Sequence, residues 1–266
     1  MTAVAPESQS RPLLDVRGLR KSFGGLSAVQ GFSLPLPERG LYGLIGPNGA
    51  GKTTVFNLLT GVYTPDEGAI RLGDRPLAGL NPHQIALAGM SRTFQNIRLF
   101  GELSVLQNVQ LACALRTKRH LFWTLLRTAG SLHREAEVRA RSLELLELFH
   151  LQHRAHEPAR SLPYGHQRKL EIVRALATQP KVLLLDEPAA GMNPQEKRQL
   201  GETIRHIRDT FDVAILLIEH DMGLVMDICE RITVLDHGET IAVGSPREIQ
   251  ADAHVIKAYL GAADQL

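Results

Sequence analysis

Residues 46–54 read Gly-Pro-Asn-Gly-Ala-Gly-Lys-Thr-Thr, a complete Gly-x-x-x-x-Gly-Lys-[Ser/Thr] pattern. Each residue type at that spacing has a task on a triphosphate. Gly46, Gly49 and Gly51 let the backbone turn tightly and bring its N–H groups against phosphate oxygens, with Pro47, Asn48 and Ala50 completing the loop. The loop then opens a helix at Thr54, whose N-terminal partial positive charge favours an anion. Lys52 is placed to reach the β- and γ-phosphates, and the Thr53 hydroxyl to hold magnesium.

Further along, Val182-Leu-Leu-Leu-Asp186-Glu187 is a buried strand ending in two carboxylates. The C-terminal edge of a parallel strand is where an α/β sheet presents ligands. There Asp186 is expected to hold magnesium through its water shell. Glu187 is expected to orient and deprotonate an attacking water, because in-line phosphoryl transfer needs chiefly positioning and charge neutralisation. A second apolar run, Val213–Ile218, ends in Glu219-His220-Asp221. His220 is then expected to contact the γ-phosphate and the water. Gln95, in Thr93-Phe94-Gln95-Asn96, lies where a helical stretch leaves the core, and its amide could ligate magnesium and report nucleotide state.

The elements that must position these groups follow from pattern. Leu13–Arg20, Ala28–Leu34 and Ala69–Leu72 read as strands around turn glycines such as Gly24-Gly25. Leu41–Ile45 is the strand that feeds the phosphate loop. The near-continuous apolar runs Val182–Leu185, Val213–Ile218 and Ile232–Leu235 are what a parallel sheet covered on both faces requires. Between the blocks, roughly 92–178, the pattern is helical: Val138, Ser142, Leu145, Leu146 and Phe149 share one face, opposite Arg139, Arg141, Glu144 and Glu147. Pro246–Leu260 also has helical character.

Bulk properties narrow the class. The chain has 266 residues, 44% of them hydrophobic, and a formal net charge of +2, which argues against nucleic acid as the main partner. Its two cysteines, Cys113 and Cys229, form no motif and point to a reducing compartment. Residues 1–10 lack the basic start and apolar stretch of a signal peptide. No apolar run approaches the roughly 20 residues that span a bilayer. The expectation is a soluble cytoplasmic protein whose membrane role comes through partners. His150, His153 and His156 straddle a helix end without a Cys or carboxylate companion, so they are read as a solvated terminus rather than a metal site. Arg116, Lys118 and Arg119 before Leu121-Phe-Trp-Thr-Leu-Leu126 are read as packing of the helical insert.

The ordered set of phosphate loop, Gln95, Leu162-Pro163-Tyr164-Gly165-His166-Gln167, Asp186-Glu187 and His220 resembles the ATP-binding cassette (ABC) ATPases from about residue 12 to the end. That resemblance implies an α/β P-loop NTPase (RecA-like) core carrying an N-terminal antiparallel β-subdomain and an inserted α-helical subdomain. It implies ATP and Mg2+ as cofactors, with Phe23 stacking on adenine and Val29 packing nearby. It implies two cassettes that sandwich two ATP molecules, Leu162–Gln167 being the signature that faces the partner's phosphate loop. The expected division is a tail at 1–11, a nucleotide-binding core at 12–91 and 179–245, a helical subdomain at 92–178 and a C-terminal tail at 246–266.

Ser91-Arg-Thr-Phe-Gln-Asn-Ile-Arg-Leu-Phe100, Leu170-Glu-Ile172, Asp186-Glu-Pro-Ala-Ala-Gly-Met-Asn-Pro194 and Val255-Ile-Lys-Ala-Tyr-Leu-Gly261 are similar to branched-chain amino-acid importer cassettes of the LivG type, as is the long insert through Trp123. This implies a second cassette, two permeases, a solute-binding protein and a peripheral place on the cytoplasmic face of the membrane. Lipopolysaccharide export cassettes, which share a similar tail, rank second, beside other amino-acid or amide importers. ABC ATPases that act on DNA or ribosomes carry coiled-coil arms or tandem cassettes that this chain lacks. A non-hydrolysing cassette is disfavoured by Glu187 and His220, and a GTPase by the missing Asn-Lys-x-Asp. Two positions depart from the family pattern. Pro163 stands where the usual Leu-Ser-Gly-Gly-Gln has its Ser, which removes a hydroxyl and a backbone donor from the partner's γ-phosphate. Asn193 stands where an Asp is usual.

Overall fold

The computed structural model describes residues 11–93, 97–114 and 129–263. Strands β1 (Leu14–Phe23) and β2 (Leu26–Leu36) form an antiparallel hairpin. Gly24 and Gly25 turn it at φ 52° and 89°, backbone angles that side chains resist. Both strands run longer than the hydrophobic pattern alone indicates, because their exposed ends still pair across the ladder. β3 (Leu41–Ile45) leads into the phosphate loop and α1 (Lys52–Leu59). β4 (Glu67–Leu72) and the short β5 (Arg75–Pro76) then complete a four-stranded antiparallel sheet in the order β2-β1-β4-β5.

After α2 (Pro82–Ala88) and β6 (Met90–Arg92) the chain turns helical. α3 (Val105–Cys113), α4 (Ala129–Leu148) and α5 (Tyr164–Ala177) pack on one another. In α4, Ser142, Leu145, Leu146 and Phe149 at its end are buried, Val138 is half-buried, and Arg139, Arg141, Glu144 and Glu147 are exposed. That is the face the helical spacing specifies. The segment Arg116–Leu126 and the indole of Trp123 lie outside the described residues.

β7 (Val182–Asp186), α6 (Pro194–Phe211), β8 (Ala214–Ile218), α7 (Met222–Ile228), β9 (Arg231–Asp236) and β10 (Glu239–Gly244) rebuild the core. The second sheet has the order β10-β9-β3-β8-β7-β6, parallel except for the β10 edge. Every residue of β7 and β8 is buried, and alternation sends their side chains to two separate cores. Leu183, Leu185, Ile215 and Leu217 join the cluster shared with α3–α5 and α7. Val182, Leu184, Ala214, Leu216 and Ile218 join the cluster beneath the antiparallel sheet, with Val55 and Phe56 of α1. A sheet covered on both faces has no polar side, which is why these strands read as unbroken apolar runs.

Two strands have no such signature. β6 is three residues long, and β10, on the sheet edge, is exposed or half-buried everywhere but at Gly244. The C-terminal helical stretch divides into α8 (Pro246–Ala251) and α9 (Ala253–Ala263) at Asp252, whose φ and ψ of −75° and 120° are extended. Among the described residues no helix is long and apolar enough to cross a membrane. Both cysteines are free.

Candidate functional site

The phosphate loop is walled by backbone. A Cβ on Gly46 would lie 2.1 Å from the Leu235 carbonyl oxygen of β9, and one on Gly51 would lie 2.5 Å from the Ala28 carbonyl oxygen of β2. Neither position tolerates a side chain. Gly49 is different: its surroundings are open and its φ is 80°, so glycine there keeps the approach to the loop clear. Ala50 is buried, Asn48 exposed and Pro47 half-buried. Lys52 is 7% exposed, and its Nζ donates to the carbonyl oxygens of Gly46 at 2.7 Å and Pro47 at 2.8 Å. Burial lowers its pKa, while the nearby Glu187 and Asp186 carboxylates act in the opposite direction. Thr53 is exposed at the N-terminus of α1 and Thr54 is half-buried.

The two apolar strands deliver their acidic ends side by side. Glu187 sits just past β7 with a left-handed φ of 48°, and its N–H donates to the Ile218 carbonyl at the end of β8, at 2.9 Å. This turn brings the Glu187 Oε1 within 2.7 Å of His220 Nε2. The Glu187 side chain is 13% exposed and that of His220 50%. Beneath them lies Glu219, 3% exposed. Its carboxylate accepts from Ala189 N at 2.7 Å and from His220 N at 3.1 Å. Burial raises its pKa against those backbone donors. Glu219 therefore staples the turn after β7 to the turn after β8, which fixes the spacing between Glu187 and His220. Sequence reasoning gave Glu219 no role. An acidic residue directly behind a fully apolar strand was the available signal.

Asp186 is 2% exposed, its N–H donates to Thr93 Oγ1 at 3.1 Å, and its Oδ2 accepts from Arg92 at 2.7 Å. Arg92 also donates to Asn57 Oδ1 of α1 at 2.7 Å and lies over the Phe56 ring at 5.3 Å. Arg92 and Asn57 are further residues of the site that the motif pattern alone does not single out. The structure thus gathers Lys52, Thr53, Asp186, Glu187 and His220 on one sheet edge. Gln95 lies outside the described residues.

Phe23 stands at the tip of the hairpin, 41% exposed, edge-on to Tyr63 with ring centroids 5.1 Å apart. Lys21 Nζ is 5.5 Å from the Phe23 centroid and bonds Asp66 at 2.6 Å. Val29 is fully buried, so of the expected adenine pair only Phe23 offers a face to solvent.

The signature opens the helix that follows Leu162. Leu162 is buried and Pro163 is the N-cap of α5, with φ −53° and ψ 149° and no side-chain cap. The extended ψ is what a cap position allows and proline tolerates. Tyr164 is 48% exposed; a Cβ on Gly191 would lie 3.0 Å from its ring, and Arg168 donates to its hydroxyl at 2.9 Å. Gly165 has open space beside Glu196, 3.8 Å from where a Cβ would stand. The His166 pKa is lowered by burial and by Lys169 and Arg154. Gln167 Nε2 donates to the Leu162 carbonyl at 2.8 Å. Asn193 caps α6 in a reciprocal box with Glu196, so an amide serves the helix as well as a carboxylate here. His150 and His153 are exposed near the end of α4, and among the described residues no group of three His, Cys, Asp or Glu could hold a metal.

These residues fit a magnesium nucleotide. The glycine cradle has no room for side chains at Gly46 and Gly51, a buried ammonium waits on loop carbonyls, and the Thr53 hydroxyl with the Asp186 carboxylate is an all-oxygen donor set that suits a hard divalent cation.

Comparison with known proteins agrees with this geometry. A family model described as ABC transporter matches residues 29–190, and one described as Branched-chain amino acid ATP-binding cassette transporter matches residues 239–265. The high-affinity branched-chain amino acid transport ATP-binding protein LivG of Salmonella typhimurium is 50% identical, over 96% of this chain and 100% of its own. BraF of Pseudomonas aeruginosa, with the same description, is 46% identical over 96% and 100%. A solved ATP-binding cassette of an ABC transporter in its ADP conformation superposes with a TM-score of 0.81 at 27% identity, covering 95% of this chain and 100% of that one. The chain belongs to the ABC transporter family of ATP-binding cassettes, in the group of the branched-chain amino acid cassettes.

Proposed function

We propose that this cassette hydrolyses ATP to drive import of branched-chain amino acids, as one of two cassettes beneath two permease subunits supplied by a solute-binding protein. The residues of 12–91 and 179–245 hold the nucleotide, and 92–178 address the partners from the cytoplasmic face of the membrane. The observation that carries the catalytic part is the Glu187–His220 contact of 2.7 Å, beside Asp186 and Lys52 on one sheet edge. The likeness to LivG and BraF along the whole chain carries the solute class.

Within that reading each residue has a task. Phe23 supports the adenine, and the backbone of Gly46–Gly51 cradles the phosphates. Lys52 exchanges its two loop carbonyls for phosphate oxygens, an exchange that burial of its ammonium favours because the triphosphate offers full charges. Thr53, Asp186 and Gln95 hold the magnesium ion, which screens phosphate charge when bound. Glu187 accepts the proton of the attacking water, and His220 holds the Glu187 carboxylate in place while facing the γ-phosphate. Leu162–Gln167 completes the ATP site of the opposite cassette.

The test is reconstitution of the cassette with its permeases and second cassette in lipid vesicles. Uptake of labelled leucine should require ATP inside and the solute-binding protein outside, and should vanish with Glu187→Gln. ATP hydrolysis that ignores leucine, isoleucine and valine but responds to another solute would overturn the assignment of solute class.

A further inference from the structure

The carboxylate assigned to magnesium already has a cation. Asp186 and Arg92 form an ion pair of 2.7 Å whose side chains are 3% and 7% exposed. The guanidinium is held from the other side by Asn57 Oδ1 at 2.7 Å and rests over the Phe56 ring. Both of those anchors belong to α1, the helix that the phosphate loop opens. Asp186 in turn ends β7, and β6, which ends in Arg92, pairs with β7 in parallel register, Arg92 opposite Leu184. Three elements of the nucleotide site therefore meet at one guanidinium.

A buried carboxylate left without a counter-charge is strongly destabilising. Before a metal arrives, something positive has to stand beside Asp186. Lys52 lies nearby, but its Nζ hydrogen-bonds the carbonyls of Gly46 and Pro47. From this geometry we infer that Arg92 is a placeholder cation, a positioning residue that neutralises Asp186 in the metal-free state and competes with magnesium for it. The inference rests on the reading of Asp186 as the magnesium carboxylate. Arg92 also forms part of the wall of a groove of about 570 Å3, beside Met90, Phe100, Leu111 and Glu171.

Competition makes a specific demand on metal binding. Arg92→Gln keeps a donor toward Asn57 and removes the charge, so Asp186 should bind the divalent ion more tightly. Manganese(II) titration of the full chain with the β,γ-imido analogue of ATP, read by electron paramagnetic resonance, should give half-saturation about threefold lower or more than in the parent protein. The variant should melt at a lower temperature without metal and recover much of that loss in saturating magnesium with the analogue. Asn57→Ala, which frees the guanidinium from its anchor without touching the ion pair, should move half-saturation in the same direction by less and serves if Arg92→Gln does not fold. Arg92→Lys, which keeps the charge, should stay near the parent value.

Asp186→Asn separates the two ideas. If it leaves manganese binding unchanged, the magnesium reading of Asp186 is wrong and this inference goes with it. If it abolishes binding while Arg92→Gln and Asn57→Ala leave half-saturation where it was, Asp186 is the metal carboxylate and Arg92 is a structural residue only, which overturns the placeholder role alone.

Discussion

The phosphate-loop side and the signature side of this cassette are built on opposite plans. The phosphate loop is closed on itself: Gly46 and Gly51 press on backbone carbonyls, Lys52 bonds its own loop, and Asp186 has Arg92. The Lys52 ammonium and the Asp186 carboxylate have partners in place and have only to exchange them when a ligand arrives. The signature side is open. Tyr164 is 48% exposed, Gly165 has free space, and α5 begins at a proline with no side-chain cap. Its first-turn amides are the kind of helix terminus that favours an anion. One side has its charged groups paired within the chain, and the other presents an open helix start.

Breaking the closed side should have the largest effect. Glu187→Gln would remove the proposed base and leave the proposed metal carboxylate and loop intact, so ATP binding should persist while turnover falls by about a hundredfold or more. The variant should accumulate as an ATP-bound pair of cassettes in the assembled transporter, visible by size-exclusion chromatography with light scattering. Hydrolysis at the parent rate would remove Glu187 from the role given to it. Lys52→Ala should act earlier, on binding. Losing charge-assisted hydrogen bonds to phosphate costs on the order of 1.5–3 kcal/mol, which is about a tenfold to hundredfold weaker affinity by titration calorimetry. An unchanged affinity there contradicts the cradle reading directly.

What the sequence made legible divides along the same line. The phosphate loop needs residue types that almost nothing else needs, so Gly46–Thr54, Asp186, Glu187 and His220 announce themselves in one dimension. Strands β3, β7 and β8 were readable to within a residue or two because a sheet buried on both faces leaves no polar interruption. Arg92, Asn57 and Glu219 were not readable. An arginine after a short strand, an asparagine within a helix and an acid after an apolar run are common, and only folding shows that they meet Asp186 or tie two turns together. β6 and β10 were missed because three residues carry no period and an edge strand mixes exposed with half-buried positions.

The open side is tested through a second cassette. In a transporter whose partner keeps a serine signature, Pro163 should make the two ATP sites unequal. The site that this signature completes loses a hydroxyl contact to phosphate, worth on the order of 1.5–3 kcal/mol, while the site on this chain's own phosphate loop does not. Glu187→Gln in this chain should then impair leucine uptake more than the matching change in the partner. Pro163→Ser should raise ATP hydrolysis of the assembled complex. It also supplies an N-cap oxygen worth about 1 kcal/mol to α5, so the melting temperature of the isolated chain should rise as well. A higher melting temperature with unchanged hydrolysis, and equal defects from the two Glu→Gln variants, would leave only the cap effect and remove the asymmetry.

The smallest expected effect lies where the two sides are joined. Lys197, on the helix that Asn193 caps and whose Glu196 borders Gly165, reaches Asp221, the residue after His220, at 2.5 Å. Asp221 also caps α7, accepting from Leu224 N at 3.0 Å. The Lys197 hydrogen bond, followed by that backbone donor, holds the Asp221 carboxyl below its ordinary value. A carboxylate depressed in this way adds stability above its unfolded pKa and loses it as pH falls through the folded one. Lys197→Met should therefore cost at most about 1 kcal/mol at pH 7, as partly exposed pairs do. The gap from the parent protein should narrow only as pH falls below the ordinary carboxylate range, where Asp221 becomes protonated in both. Melting curves between pH 7 and pH 3 measure this. A gap that stays constant across the range would mean that Lys197 acts through packing of its alkyl chain, and that the catalytic edge and the signature side are not joined by charge at this point.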